Sequence, residues 1–480
     1  MSTKKDPQII IIGAGPAGLS AAYYLRKNGY RRVMILEKLG RVGGLVYSIT
    51  VGGRSFDLGA NYVTPAYKET LKIAREVGAA TYTEKPFVAM TIPDDATKPV
   101  TYSTIFDALR VDAETGKPIP VLKFMLLILK FIWRRFRLRH IIDKPAMAGI
   151  EKHPELCVSF KDWLKANGLE GLVTLFELPI TLMGYGHIHT TAAPYALKFM
   201  TVRTFIPMVL KETPIIGPWI PWPRRFVYGF QRMWEMLSWR FDVRLNIDVK
   251  SIERRDDGIH VHFEEPEQWL NEEKAIAKEI VGDYLIVACP IAVIPTFLDL
   301  SEDERRLFGF DSSSPGPRQV ITSSYCMTTF HVENLKIGGH DTGAGPLAAA
   351  LPVPDKARPW GVAKQYDDVD FIEFYTRVHN DTPDAEAKEQ VVQYIRQVVQ
   401  QMDGKIVEGN KAWHTHTRWP YFQHVLPETM RAGFYTDLEN LQGQRKTFYV
   451  GGVTNFELIE PIVEYAKHLV ARHFPPRADA

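Results

Sequence analysis

The chain alternates unbroken apolar runs with longer stretches whose apolar residues return every three or four positions. Ile9-Ile10-Ile11-Ile12 and Val33-Met34-Ile35-Leu36 are unbroken, the pattern of strands buried on both faces. Between them, Leu19 to Asn28 has helical spacing and stops at Gly29, a residue suited to a C-terminal cap. Gly229 to Leu237 reads as another helix. Val243 to Asn246, Val249 to Arg254 and Gly258 to Phe263 alternate like strands of one small sheet, and Asp283 to Pro290 begins as a further buried strand. Thr447 to Gly452 reads as the last strand, followed by a helix from Ile459 to about Phe474.

Two other stretches stand out. Val121 to Arg139 is a helix in which Lys123, Lys130, Arg134 and Arg137 make a basic stripe. Phe124, Met125, Leu127, Ile128, Phe131, Ile132 and Trp133 fill the rest, and no acid occurs between Glu114 and Asp143. This pattern suits either a cap helix with its cations in water or a helix lying in a membrane interface. Pro214 to Pro223 is a rigid apolar loop that cannot be regular secondary structure; it reads as plain loop packing, a cavity lid or a second interfacial anchor.

The junction between the first strand and helix carries chemistry. In Gly13-Ala14-Gly15-Pro16-Ala17-Gly18, the first glycine allows a tight turn, the second lets the backbone approach a pyrophosphate, and the third lets helix and strand pack closely. The helix N-terminus offers unpaired N–H groups and a positive dipole end to that phosphate. Glu37 ends the second strand, where a carboxylate accepts from ribose hydroxyls and disfavours a 2′-phosphate.

Composition adds exclusions. With 480 residues, 45% hydrophobic and 24% charged, the chain is no disordered, collagenous or coiled-coil protein, and its length suggests two or three domains. The balance of 58 Lys+Arg against 56 Asp+Glu gives no global reason to expect nucleic acid. Cys157, Cys289 and Cys326 are too scattered for a disulfide framework or a zinc site, so a reducing, cytoplasmic setting is expected. Met1 to Pro7 lacks a signal-peptide layout, and no apolar run is long enough to span a bilayer. His187-Ile188-His189 and His414-Thr415-His416 lack accompanying ligands, so no metal is expected, and no nucleophile elbow supports a Ser/His/Asp triad.

Arg41-Val42-Gly43-Gly44, then Phe56-Asp57-Leu58-Gly59-Ala60-Asn61, resembles the second glycine motif and the stretch after it in the FAD-dependent amine-oxidase superfamily. The segments 229–237, 243–263, 283–290 and 447–474 resemble it too. The resemblance implies an α/β chain: a Rossmann-type FAD-binding domain of the amine-oxidase (GR2) kind, interrupted by a mixed-sheet substrate domain and a helical cap. The expected FAD domain comprises 1–80, 225–295 and 411–475, the substrate domain 81–104 and 296–410, and the cap 105–224, leaving 476–480 as a flexible tail. Implied cofactor contacts are Gly13, Gly15, Pro16, Ala17, Gly18, Glu37, Lys38, Gly43, Gly44, Leu45, Gly59, Ala60, Asn61, Tyr62, Gly451 and Gly452. The backbone of Val249 is expected at the adenine and the amide of Ile462 at the flavin pyrimidine. Leu45 stands where the family often has a basic residue, Gly452 replaces an acid and Pro461 a glycine. No cysteine lies near this last segment, so non-covalent FAD is expected.

Leu178-Pro179-Ile180-Thr181-Leu182-Met183-Gly184-Tyr185-Gly186-His187, Ala193 to Phe199, Trp419 to Val425, Ala432 to Tyr435 and Leu441 to Arg445 resemble the polyunsaturated fatty-acid isomerases of the same superfamily. That resemblance implies a lipophilic small-molecule substrate. It further implies the reaction of those isomerases, in which hydride would leave the methylene between two double bonds and return at another carbon, without net oxidation. Tyr185, Phe199, Tyr421 and Phe422 are the candidate cavity wall, with ordinary core packing as the alternative for each; Gly184-Tyr185-Gly186 is either cavity lining or a structural bend. Those isomerases carry an arginine for the fatty-acid carboxylate, and the matching stretch, Glu84-Lys85-Pro86-Phe87-Val88, has none. Lys85, Lys198 or Arg203 are the candidate anchors, with Met183 as a further substrate contact. A net oxidase or dehydrogenase acting on a lipid, terpenoid or alkaloid-like metabolite is the second expectation. A lipid-binding protein at a membrane surface that keeps FAD as structure is the third.

Overall fold

The computed structural model describes residues 6–84, 87–211, 217–220, 223–266, 275–310, 319–335, 337, 347–350, 357–409 and 414–477. Five parallel strands form one sheet, in the order 447–449, 284–287, 9–12, 33–36, 242–244. Ile9–Ile12 lies at its centre. Ile10 and Ile12 enter one core and Ile9 and Ile11 another, which is why this run has no polar alternation. The helix Pro16–Lys27 follows and packs beside Ile459–His473. It begins at Pro16, ahead of the apolar spacing, because a proline in the first turn gives up an N–H that has no partner there anyway.

Asp242–Arg244 corrects one expectation. It extends the parallel sheet beside Val33–Leu36, and Glu37 N–H donates to the Arg244 carbonyl at 2.9 Å. The small antiparallel sheet consists of 248–255, 258–266 and 275–282. Alternation along a strand tells which residues share a face but not which sheet the edge joins.

A second, mixed sheet has Ile321–Glu333 as its hub. That strand pairs with Phe371–Arg377 on one side, and on the other with both Lys405–Ile406 and His414–His424. The order continues from 371–377 through 361–364, 348–349 and 88–91 to 101–103. A separate antiparallel pair joins Thr81–Thr83 to Arg224–Phe226, with Tyr82 opposite Arg225.

Helices 121–137, 160–166, 173–182, 193–199 and 202–210 form a layer around Phe131, whose ring lies 4.6 Å from Phe176 and 5.0 Å from Phe205. Phe124, Ile128, Phe131 and Arg135 form the buried face of Val121–Arg137. Arg135 is accommodated there because its Nε donates to the Leu197 carbonyl at 2.8 Å and its guanidinium pairs with Asp143. Gly217–Trp219 forms a short 3-10 turn, a correction to the expected absence of regular structure; residues 212–216, 221 and 222 lie outside the described residues. Among the described residues, no helix is long and apolar enough to cross a membrane.

Candidate active site

The glycine-rich turn is shaped by contacts that exclude side chains. A Cβ on Gly18 would lie 2.0 Å from the Gly13 carbonyl oxygen, and Gly13 itself has φ +107°. The second loop meets the first at backbone distance, since a Cβ on Gly44 would stand 3.3 Å from Gly15 Cα. Gly59 is needed for a similar reason: a Cβ there would lie 1.9 Å from the carbonyl oxygen of Leu45, which also accepts from Ala60 N–H at 3.4 Å. Leu45 thus works through its main chain. Arg41, the first residue of the second glycine motif, spans this loop by donating to the Gly44 carbonyl at 3.0 Å.

Glu37 is buried and holds the turn: Oε2 accepts from Ala14 N–H at 2.7 Å and Oε1 from Leu39 N–H at 2.9 Å. Each oxygen keeps a lone pair for a hydroxyl. Lys38 is exposed and reaches Asp248 at 3.5 Å. Val249 sits at a register shift of the small sheet, just past Ile247, whose N–H donates to the Glu37 carbonyl at 2.9 Å. Pro16 and Ala17 are buried in the first helical turn. Two facing glycine loops, a capless helix N-terminus and a buried carboxylate fit a dinucleotide's pyrophosphate and ribose.

At the far end of the sheet, Gly451 has φ +144°, and a Cβ on Gly452 would lie 2.7 Å from Glu457. Ile462 requires a correction. Its N–H donates to the Leu458 carbonyl at 3.1 Å, so it is spent inside the helix. Pro461 has no N–H, which leaves Ile459 and Glu460 as the first-turn amides open to a ligand.

The four cavity candidates meet. Tyr185 is at their centre, with ring centroids at 5.3 Å from Phe199, 5.6 Å from Tyr421 and 5.2 Å from Phe422. Phe456, which had no distinguishing local motif, joins at 4.7 Å. Gly184 and Gly186 both have positive φ and turn the chain so that Tyr185 is buried among the rings. Met183, half-buried, packs against the same core. Phe422 adopts φ +55° where strand 414–424 shifts register against 321–333, an unfavourable conformation for a bulky residue. His424 stacks on Phe422 at 4.0 Å and donates from Nδ1 to its carbonyl; burial pushes the imidazole down to about 4, so it is neutral.

Glu457, like Phe456, was not among the sequence candidates. Its carbonyl accepts from Tyr185 at 3.1 Å and Tyr421 at 3.0 Å, and its carboxylate accepts from Gln423 N–H. Burial pushes its carboxyl up to about 7.

The expected anchors separate. Lys85 lies outside the described residues. Arg203 is exposed. Lys198 is buried, donates to the Lys144 carbonyl at 2.8 Å and is pushed down to about 7 by burial. The buried arginine beside the 81–84 stretch is instead Arg225, brought there by pairing of its strand. It pairs with Glu84, donates to Tyr62 hydroxyl at 2.7 Å and Gln365 at 2.9 Å, and lies 3.8 Å from Glu373. Asn61 donates to Tyr375 at 3.3 Å, and Tyr375 donates to Glu373 at 3.4 Å. Oε1 of Glu373, fully buried, has no hydrogen-bond partner among the described residues. Burial raises the Glu373 carboxyl to about 7 and Asp57 to about 6. Tyr325 links the two groups, at 6.4 Å from Tyr375 and 6.1 Å from Tyr421.

Comparison with known proteins agrees with this geometry. Residues 11–77 match the NAD(P)-binding Rossmann-like domain family. The polyenoic fatty acid isomerase of Ptilota filicina is 26% identical over 216 residues, 42% of each chain. The putrescine oxidase of Kocuria rosea is 40% identical over 80 residues, 17% of this chain and 16% of its own. These alignments span less than half of either relative. In three dimensions, the CLA-producing fatty acid isomerase from P. acnes superposes with a TM-score of 0.75 at 24% identity, covering 98% of this chain and 100% of that one. A redesigned putrescine oxidase gives 0.63 at 16% identity, over 97% and 98%. The chain has the α/β fold of these proteins, with a Rossmann-type sheet and a mixed sheet.

Proposed function

We propose that this chain is an FAD-dependent enzyme that takes hydride from an activated C–H of a lipophilic substrate and returns it at another carbon, converting a polyunsaturated fatty acid to a conjugated product. The observation that carries this reading is the ring cluster around Tyr185, tied by two hydroxyls to the Glu457 carbonyl just ahead of the 459–473 helix. FAD, held without a covalent bond, would supply a two-electron acceptor that can also give hydride back.

The chain's own residues supply the rest. The facing glycine loops seat the pyrophosphate, and the open amides of Ile459 and Glu460 present a positive dipole end toward negative charge. The rings exclude water and favour a delocalised cation lying over their faces. Burial raises both Tyr185 and Tyr421 far above their ordinary range, so neither serves as a base near neutrality. The whole-chain likeness to a fatty acid isomerase supports the same reading. A cytoplasmic location accords with three free cysteines, two of them buried.

Anaerobic incubation with linoleic acid tests it. A rise in near-ultraviolet diene absorbance without oxygen uptake is expected, and acid precipitation should leave the flavin in the supernatant. Peroxide release without a diene would discard the isomerase. That outcome favours the second reading, a net oxidase. The Arg225 cluster supports this alternative: Oε1 of Glu373, fully buried and without a hydrogen-bond partner among the described residues, suits an ammonium or hydroxyl group.

A further inference from the structure

The helix Val121–Arg137 has three faces rather than two. One is buried through Phe124, Ile128, Phe131 and Arg135. The opposite one is apolar and open: Leu122 is 74% exposed, Leu126 58%, Leu129 58%, Trp133 51% and Phe136 53%. These five recur at helical spacing, so they make one continuous stripe along the rod. Between the two lie Lys123, Lys130, Arg134 and Arg137, with Arg139 just beyond the helix. Arg134 and Arg137 lie 5.1 and 5.0 Å from the Trp133 ring, and Arg139 lies 3.9 Å from that of Phe136. No acid belongs to the helix.

We propose that this surface docks the protein on an anionic phospholipid bilayer, with the helix lying in the interface. The stripe of Leu122, Leu126, Leu129, Trp133 and Phe136 would enter the acyl boundary, while the flanking cations meet lipid phosphates. Charge decides between occupants. A second copy of this chain would place cations against cations, whereas an anionic leaflet neutralises them. The surface is separate from the ring cluster and the glycine loops, so the proposal stands or falls independently of the flavin chemistry.

Flotation of the purified holoprotein with vesicles tests it. The parent should float with phosphatidylcholine vesicles containing phosphatidylserine and stay behind with phosphatidylcholine alone. Reversing three charges, Lys130→Glu with Arg134→Glu and Arg137→Glu, should cost at least about a hundredfold in partition. Leu126→Ser with Leu129→Ser and Trp133→Ser should abolish flotation while the circular dichroism melt stays that of the parent. Should the triple serine variant misfold, Leu129→Ser alone should still lower partition about tenfold. A parent that does not float with anionic vesicles overturns the proposal. So does a parent that is dimeric in solution and becomes monomeric in the serine variant, which assigns the stripe to a second copy.

Discussion

Arg225 brings one positive charge to Glu84 and Glu373, with Asp57 close enough to raise Glu373 further. Burial outweighs the lowering pull of Arg225 at Glu373, and Asp57 and Glu84 add to it, so its proton is held to about 7, against an ordinary 4.5. A group raised on folding adds stability that is full below its unfolded value and is lost as pH climbs through the folded one. Between pH 4.5 and about 7 Glu373 should therefore contribute a falling stability, with Glu457, and Glu464 of helix 459–473, acting in the same sense and His424, held at about 4, opposing them. Glu373→Gln should remove its share, on the order of 3 kcal/mol across the window, from that slope. Urea midpoints measured across this range check it; an unchanged slope would mean that Arg225 keeps Glu373 ionised. Nothing in the local sequence marks Glu373, since it lies on an ordinary strand. Glu37 was legible because its position after a glycine-rich turn carries its role.

At the level of elements, the bend 183–187 and the bulged end of strand 414–424 form one device. Gly184 lies under the rings of Tyr325 and Tyr421, where a Cβ would come within 2.9 Å of each. Ser323 Oγ donates to the Gly184 carbonyl at 2.6 Å and fixes the bend to the sheet. Gly184→Ala should cost about 1–3 kcal/mol and also displace Tyr421, lowering turnover. Gly433→Ala is the control, because Gly433 has φ +99° but nothing within 4 Å of a new Cβ. If thermal melts and initial rates of the two variants fall equally, backbone strain alone is responsible and the ring contact does not matter. Local pattern revealed the glycines but not their partners, which come from a strand far along the chain. The helix 121–137 shows the same limit: its basic stripe could be read, yet which apolar face would be buried depended on Phe176 and Phe205.

Across the whole molecule, one ionic brace joins pieces distant in sequence. Arg254 in the small sheet meets both carboxylate oxygens of Glu304, at 2.6 and 2.8 Å, and Asp299 at 2.7 Å. Tyr449, on the last strand of the parallel sheet, donates to Glu304 as well. Burial alone would raise the Glu304 carboxyl, but these bonds to Arg254 override it and hold the group at about 2. A lowered value contributes stability above pH 4.5 that disappears as pH falls toward 2. Acid unfolding in that window should be blunted in Arg254→Met, which should also lose about 3–5 kcal/mol at neutral pH by stranding Glu304. Guanidinium titrations at the two pH values measure both effects; a variant as stable as the parent at neutral pH would show that the brace contributes nothing.

The sequence by itself determined the dinucleotide-binding unit, because its turn, helix and acid are set by steric and dipolar rules that act within a few dozen residues. It also grouped Tyr185, Phe199, Tyr421 and Phe422 as one candidate wall, through the resemblance of their segments rather than through any local periodicity. Only the tertiary structure decided that Arg225 fills the space beside Glu84, that Phe456 and Glu457 complete the ring cluster, and that Ile462 keeps its amide for its own helix. Each of those follows from strand pairing or helix register between remote segments, and no local periodicity encodes which remote segment a strand or ring will meet.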